Sequence, residues 1–237
     1  MTETYREATA NAARLPLSKR RVLRAALGVI DREGLDALSM RRLGAELGVD
    51  PMAVYRHVDG KEAVLDGVAE LLWEELPASE EVAGDWRDGL RAFARSLRAL
   101  FHSHPHAVPL LVQRPVMPKA ALEKSYTHME ALRRAGFDKQ RTVEIARALI
   151  SFSNGFGLAE LSCLGVLGIE EWRQQSEREM LLSVAQALPP GIPPHLADVA
   201  IALWAECNPD VCFESGLELI IKGAQASLEE PSSPAEE

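Results

Sequence analysis

The stretch SMRRLGAELGVDPMAVYRHVDGK, Ser39 to Lys61, decides the fold. Ser39 is a favourable N-cap residue and Gly48 suits the left-handed conformation that ends a helix, so the residues between them predict a short helix. Asp50 can cap a second helix whose first residue is Pro51, where the missing N–H is no loss. The turn LGV between the two helices is too tight for anything but a steep crossing, which indicates a helix-turn-helix.

Helical periodicity continues on both sides of this stretch. Apolar residues from Val22 to Ile30 recur every three or four positions, which predicts a first helix over Leu17–Glu33. Asp59 and Glu62 form a capping box, which predicts that a fourth helix starts at about Gly60. A short turn or helix is expected among the prolines of residues 105–118, and longer helices over Asp85–Phe101, Lys119–Ala135, Lys139–Leu167, Glu170–Leu188, His195–Glu206 and Pro209–Leu228. No segment alternates with period two, so the predicted fold class is all-α.

Composition is that of a soluble globular protein: 237 residues, 47% hydrophobic and 26% charged. No apolar run reaches the roughly 18 residues of a membrane span, and the first residues lack the blocks of a signal peptide, so we expect a cytoplasmic protein. The three cysteines show neither disulfide nor zinc spacing, and no cofactor is expected. No nucleophile with a matching base appears either, which argues against an enzyme.

Charge is unevenly spread along the chain. The net charge is −9, yet residues 14–61 hold ten Lys and Arg against six Asp and Glu. A basic head on an acidic body indicates a polyanionic partner for the head alone, and nucleic acid is the obvious one.

The second helix of a helix-turn-helix enters the DNA major groove. Val49 and Val54 are expected to face the core of the head. The outward positions, and thus the candidate base contacts, are Pro51, Met52, Ala53 and Arg56. Met52 and Ala53 could touch a thymine methyl, whereas Arg56 could hydrogen-bond a guanine edge.

The run LSKRRVLRAALGVIDREGLDALSMRRLGAELGVDPMAVYRHVDGKEAVLDGVAE resembles the DNA-binding head of the tetracycline repressor family of bacterial transcriptional regulators. The segments WRDGLRAFARSLRALF, LLVQRP and ESGLELIIKGAQASL resemble the ligand-binding and dimerisation part of the tetracycline repressor itself, so the likeness covers roughly residues 17–228. It implies a three-helix helix-turn-helix DNA-binding domain (17–62) and a larger helical effector-binding and dimerisation domain (63–228). Outside the likeness we expect a flexible arm (1–16) and, from the composition of EEPSSPAEE, a disordered acidic tail (229–237).

Side chains that donate hydrogen bonds surround the predicted turn and are candidates for DNA phosphate contacts. Taken alone, Tyr55 could equally be a core aromatic and His57 a structural residue. In the family, the positions of Tyr55 and Lys61 contact phosphates, and such contacts position the protein without reading sequence. The full candidate set is Ser39, Arg41, Arg42, Tyr55, His57 and Lys61.

Apolar side chains at helical spacing are candidates for an effector pocket, although such stripes are usually plain core. In the tetracycline repressor, polar drug contacts and a metal-binding His stand where this chain has Phe93, Leu97 and Leu110, with Gln113 replacing a further polar residue. The resemblance therefore implies a more apolar effector than a tetracycline–magnesium complex. The candidate set is Trp73, Trp86, Phe93, Leu97, Phe101, Leu110, Gln113, Phe152 and Phe156.

Two further motifs concern metal binding and dimerisation. His102, His104 and His106 suggest a metal site, but residues two apart do not share a helix face, so no metal is predicted. Small residues near Ser153 and an apolar stripe near the C-terminus predict an isologous dimer, with intrachain packing as the alternative. The candidate interface residues are Ser153, Gly157, Leu161, Leu217, Ile220, Ile221 and Ala224.

The function predicted on these grounds is a homodimeric, effector-responsive transcriptional repressor on a near-palindromic double-stranded DNA operator. The competing hypothesis is a helical ligand-binding module or scaffold whose head does not bind DNA.

Overall fold

The computed structural model describes residues 16–77, 85–114, 119–163, 177–205 and 208–229. Within these ranges the chain forms α-helices and one 3-10 turn, Leu35–Ala37, with no strand, and the predicted all-α class is confirmed. The helices are α1 (Lys19–Glu33), α2 (Met40–Leu47), α3 (Pro51–Tyr55), α4 (Lys61–Glu75), α5 (Trp86–Ser103), α6 (Pro109–Gln113), α7 (Lys119–Arg134), α8 (Lys139–Cys163), α9 (Glu177–Ala187), α10 (Pro194–Ala205) and α11 (Pro209–Glu229). None of these described helices combines the length and apolarity needed to cross a membrane.

Most predicted helix ends lie within two residues of the observed ones. The first helix starts at Lys19 rather than Leu17, because the Ser18 side chain accepts a hydrogen bond from the Arg21 backbone N–H and caps it there. The predicted arm and acidic tail fall almost wholly outside the described residues, as do residues 164–176, where two long helices were predicted to end and begin.

The predicted capping box at the start of α4 is wrong. Gly60, with φ 91°, holds the N-cap position, and no side chain caps the helix. Because a positive φ is not helical, α4 begins at Lys61, one residue later than a box with Asp59 at the N-cap requires. The Glu62 carboxylate accepts a hydrogen bond from Arg114 instead.

The chain divides into two compact units. The first comprises residues up to 78 together with 99–126, and the second comprises 79–98 and 127–237. This division does not follow the boundary predicted after residue 62, because α4 packs against α1. A Cβ added at Gly67 of α4 would lie 2.5 Å from Leu23 Cδ2 of α1, so the two helices approach each other at a position where only glycine leaves room.

The core of the first unit is aliphatic. Ile30 of α1, Leu43 of α2 and Val54 of α3 are fully buried, as are Val64 and Val68 of α4. Burying a side chain of this kind contributes about 1.5–3 kcal/mol, so this core fixes the helices that carry the exposed residues of α3.

The second unit contains a cluster of aromatic rings where α8 meets α11. Phe213 of α11 stacks on Phe152 of α8 with ring centroids 5.5 Å apart and meets Phe156 edge-on at 5.3 Å. A Cβ at Gly216 would lie 2.6 Å from the Phe152 ring, so glycine lets α11 approach α8 closely here. The Arg98 guanidinium lies 4.9 Å from the centroid of the Phe213 ring.

Candidate functional site

Local capping builds the helix-turn-helix as predicted. The Ser39 hydroxyl oxygen accepts a hydrogen bond from the Arg42 backbone N–H at 3.1 Å, and Gly48 ends α2 in the left-handed conformation with φ 66° and ψ 32°. A Cβ at Gly44 would lie 3.0 Å from the Val49 carbonyl oxygen and 3.2 Å from Pro51 Cγ. Glycine at this position therefore permits the close approach of α3 to α2.

Helix α3 presents one buried and several exposed side chains. The Asp50 carboxylate accepts from the Met52 backbone N–H at 2.8 Å, and Pro51 occupies the first turn. Val54 is fully buried, as predicted, whereas Met52 is 68% exposed and Tyr55 46% exposed. The short helix therefore offers these two side chains to a partner.

The remaining candidate DNA contacts differ in exposure. Arg56 is exposed directly after α3, and Lys61 is exposed at the first residue of α4, where unpaired backbone N–H groups also face outward. Three candidates are half-buried: Pro51, Ala53 and His57. Val49, which we expected in the core, is half-buried as well.

Arg42 is engaged within the head. Its guanidinium donates to the Glu33 carboxylate through Nε at 3.1 Å, and its Nη2 lies 2.9 Å from Glu46 Oε2. Hydrogen bonds to Glu33 and then to Glu46 raise the pKa of Arg42, and the same contact lowers the pKa of Glu33. A guanidinium held in this way is a poor candidate for a phosphate contact, whereas the neighbouring Arg41 is exposed.

The candidate pocket residues are distributed over both units. Trp73, Phe101, Leu110 and Gln113 belong to the first, and Trp86, Phe93, Leu97, Phe152 and Phe156 belong to the second. In the second unit, Phe152 and Phe156 belong to the aromatic cluster, and Trp86 meets Phe137 edge-on at 5.1 Å.

A buried histidine that sequence reasoning missed lies beside one candidate. The His128 ring of α7 is 4.7 Å from the ring of Phe93, centroid to centroid. Burial lowers the pKa of His128, so the imidazole is neutral at ordinary pH. It places a polar group among the apolar side chains of α5.

An open cleft of about 570 Å³ lies in the first unit. Its apolar part is formed by Leu35, Leu65 and Leu110, and its polar groups come from Asp36, Lys61, Glu62, Gln113 and Arg114. The cleft thus joins one candidate phosphate contact, Lys61, to the short helix α6.

Arg114 connects the end of α6 to the first turns of α4. Its Nη2 donates to Glu62 Oε2 at 2.6 Å, and its Nη1 contacts Asp66 Oδ1. Burial opposes the charge, but the hydrogen bonds that Arg114 donates to both carboxylates outweigh burial and raise the pKa of Arg114. The end of α6 is therefore fastened one residue away from Lys61.

The three histidines predicted not to bind metal have separate roles. His102 is exposed, His104 lies between the carboxylates of Asp31 and Glu75, and His106 Nδ1 lies 3.0 Å from the Asp31 carbonyl oxygen. Across the described residues, no group of three or more His, Cys, Asp and Glu side chains has a metal-binding arrangement.

The candidate dimer residues require correction. Ser153, Leu161, Leu217 and Ile221 are no more than 2% exposed, and Gly157 and Ala224 are also buried; only Ile220 is half-exposed. These residues face the interior of the protomer because α8 packs on α11, so the intrachain alternative applies to them. The exposed residues lie on the opposite faces of the two helices.

Those opposite faces carry apolar and small residues beside charged ones such as Glu144 and Lys222. On α11, Val211 is 61% and Leu219 72% exposed, with Ser215 and Gly223 on the same face. On α8, the exposed residues at helical spacing include Ala148, Ser151 and Gly155. A Cβ at Gly155 or Gly223 would meet no atom within 4 Å, so space outside the protomer is open at both.

Sequence reasoning also missed a series of arginine pairs in the second unit. Along one face of α5, Arg91 binds Glu218 and Arg95 binds Glu214, each through two N–H groups. Arg98 binds the buried Glu160 of α8 with Nη2–Oε1 at 2.6 Å. These contacts join α5 to α8 and α11.

Two known family profiles match the chain, one in its N-terminal part and one in the remainder. The profile "Bacterial regulatory proteins, tetR family" matches residues 22–68, and "Tetracyclin repressor-like, C-terminal domain" matches residues 76–228.

Known proteins resemble the chain over most of its length. An HTH-type transcriptional regulator of Saccharopolyspora erythraea is 30% identical over 172 residues, covering 73% of this chain and 69% of that protein. The class A tetracycline repressor from transposon 1721 of Escherichia coli is 30% identical over 208 residues, covering 85% and 88%. The crystal structure of the TetR family protein ActR from Streptomyces coelicolor in complex with actinorhodin superposes with a TM-score of 0.77 at 29% identity, covering 91% of this chain and 100% of that one.

Proposed function

The chain belongs to the tetR family of bacterial regulatory proteins, which are DNA-binding transcriptional regulators, and on that premise we propose that it is a homodimeric repressor. Its two helix-turn-helix units bind the half-sites of a near-palindromic operator. A small, largely apolar effector releases it.

The observation that carries the proposal is the arrangement of exposed side chains around the turn. Met52 and Tyr55 project from α3, Arg56 follows it, and Lys61 opens α4. A ligand-binding module without DNA contacts would have no need to expose a large thioether and a phenol beside two cations. This arrangement favours the regulator over the module.

The exposed residues divide by chemistry into two roles. Tyr55 and Lys61 donate to phosphates flanking the major groove, together with Arg41 and the α4 N-terminus. Met52 and Arg56 face base edges, where an apolar group selects a thymine methyl and a guanidinium selects guanine. Ser39, which caps α2, keeps its hydroxyl proton free to donate to a phosphate.

An apolar effector is supported by the side chains of α5. Phe93 is 8% exposed and Leu97 fully buried, and the neutral His128 ring next to Phe93 supplies a polar group. ActR was solved with actinorhodin, and that relative shows that a protein of this architecture takes up an organic molecule. The effector proposed for this chain is likewise an organic molecule.

Coupling between effector and operator runs through Arg114. Because Arg114 fastens α6 to Glu62 and Asp66 of α4, a displacement of α6 moves the first turns of α4, and Lys61 with them. By linkage, operator binding weakens effector binding by the same factor as effector weakens operator binding.

Dimerisation is proposed through the exposed faces of α8 and α11. Leu219 and Val211 would be removed from water, and Gly155 and Gly223 would let helices of the partner approach closely. Two helices from each protomer give an isologous four-helix contact.

A footprint on DNA from upstream of the protein's own gene tests the proposal. Hydroxyl-radical cleavage should show two protected patches related by a two-fold axis, with centres one helical turn or a multiple apart. A single patch, or protection equal to that of a scrambled duplex, would contradict the proposal, and the second result would favour the ligand-binding module.

A further inference from the structure

His104 lies between two carboxylates from two different helices. Its Nδ1 is 2.8 Å from Asp31 Oδ2 on α1, and its Nε2 is 2.7 Å from Glu75 Oε2 at the last residue of α4. His104 itself belongs to the connection between α5 and α6. Three segments of the first unit therefore meet at one imidazole ring.

The chemistry of this contact depends on a proton. An ionised carboxylate only accepts hydrogen bonds, and a neutral imidazole has one N–H and one lone pair. With the neutral ring, one of the two carboxylates would face a nitrogen lone pair at hydrogen-bonding distance. Only the imidazolium donates to both oxygens, and the charged form gains two charge-assisted hydrogen bonds.

The surroundings reinforce the charged form. Burial by itself lowers the pKa of His104, but the hydrogen bonds and charges of Asp31 and Glu75 outweigh burial and raise it. Arg32, which follows Asp31 in the chain, pairs with Glu46, and Arg20 pairs with Glu74, which precedes Glu75.

Two other histidines occur on the same connection. His106 bonds the backbone carbonyl of Asp31, an acceptor that a neutral Nδ1–H satisfies, and His102 is exposed. The dependence on a proton is therefore specific to His104 among these three histidines, and His106 offers a matched control two residues away.

We propose that His104, Asp31 and Glu75 form a proton-dependent latch that fastens the first helix of the DNA-binding head and the end of α4 to the connection leading into α6. The latch is closed at low pH and opens as pH rises. It belongs to the first unit alone and does not rest on the proposed repressor function. Closed, it restrains the segment that enters α6; open, it leaves that segment held by fewer contacts.

The sign of the pH dependence follows from the raised pKa in the folded state. The stabilising contribution of His104 is complete below the unfolded pKa of about 6.5 and is lost as pH rises through the folded pKa. Relative to His104→Gln, the wild-type unfolding constant should be smaller by a factor of about ten for each pH unit by which the midpoint is raised.

Titration of the full-length protein labelled with ¹³C at histidine Cε1 tests the latch. His104→Gln assigns the signal, which should titrate above about 6.5 in the wild type. Glu75→Gln should lower this midpoint, and His106→Gln should leave it in place. A wild-type midpoint at or below about 6.5, or one that Glu75→Gln does not lower, would overturn the latch.

Urea unfolding as a function of pH gives the second readout. The stability difference between wild type and His104→Gln should be complete below about pH 6.5, the ordinary histidine pKa, and should be lost as pH rises through the folded midpoint. A difference independent of pH would show ordinary packing in place of a latch. If His104→Gln does not fold, Glu75→Gln, which removes the more exposed partner, replaces it in the same comparison.

Discussion

Arg114 at the end of α6 donates to the Glu62 carboxylate with Nη2–Oε2 at 2.6 Å, and Glu62 directly follows Lys61, a proposed phosphate contact. Arg114 also contacts Asp66 one turn further along α4. A single guanidinium thus joins the two segments through which an effector signal would have to pass.

Arg114→Ala should loosen the first turns of α4, because Glu62 and Asp66 lose their shared cation. We expect faster hydrogen exchange in a peptide covering residues 61–66 and operator binding weaker by roughly 1 kcal/mol. Exchange mass spectrometry and fluorescence anisotropy measure the two effects. Arg95→Ala, which breaks a two-pronged contact to Glu214 in the other unit, is the control and should change neither. Unchanged exchange in Arg114→Ala would remove this residue from the coupling route.

Lys61→Ala should weaken binding equally to the operator and to scrambled DNA, because a phosphate contact carries no sequence information. The slope of log affinity against log salt should fall by about one. Arg24→Ala removes an equal charge from an exposed position of α1 and serves as the control. If both variants lost the same amount of DNA affinity, the loss would come from the change in overall charge and not from a contact at Lys61.

Met52→Ala and Arg56→Ala should change which operator the protein prefers. Each side chain faces a base edge in the proposal, so each loss should cost about 1–3 kcal/mol at one position of the half-site and little at the others. A panel of single-base operator variants, titrated by anisotropy, locates that position. A uniform loss across the panel would reassign the residue to backbone contact.

The helix-turn-helix was predictable because its determinants are local. Ser39, Gly48, Asp50 and Pro51 act within four residues of themselves, and each lies where the capping rules place it. The capping box failed because the positive φ of Gly60 moved the helix start, and a sequence pattern does not contain that angle.

Pairings between distant segments could not be predicted. His104 and Asp31 are 73 residues apart, and nothing in the run HSHPH identifies its partner. The pairing of Arg42 with Glu46, four residues on, could have been anticipated from helix geometry, but its pairing with Glu33 of α1 could not. The sequence of an apolar stripe is the same whether the stripe faces its own chain or a partner. The dimer interface predicted at Leu217 and Ile221 therefore could not be distinguished from the intrachain packing that the structure has there.

Leu219→Asp should split the dimer, because Leu219 is 72% exposed in the protomer and would be covered by the partner. Analytical ultracentrifugation should show a shift to monomer with an unchanged helical spectrum. Leu122→Asp, at a 54% exposed leucine of α7, is the matched control and should remain dimeric. A dimeric Leu219→Asp protein would place the interface elsewhere.

Arg98→Ala should destabilise the protein by about 3 kcal/mol, because it removes the Arg98 guanidinium from the buried Glu160 carboxylate. Arg95→Ala should cost no more than about 1 kcal/mol, since both side chains of that pair are largely exposed. Urea unfolding of the two variants gives the comparison. Equal losses of unfolding free energy would mean that the burial of Glu160 does not determine how much its ion pair with Arg98 stabilises the protein.

The most direct test of the account is the binding of purified protein to DNA from upstream of its own gene, against a scrambled duplex, over a salt series. We expect a preference for the upstream DNA and a steep fall of affinity with salt, with a log–log slope of about −0.9 for each phosphate contact. Failure to bind either duplex, even at low salt, would contradict DNA recognition by the exposed residues of α3 and α4.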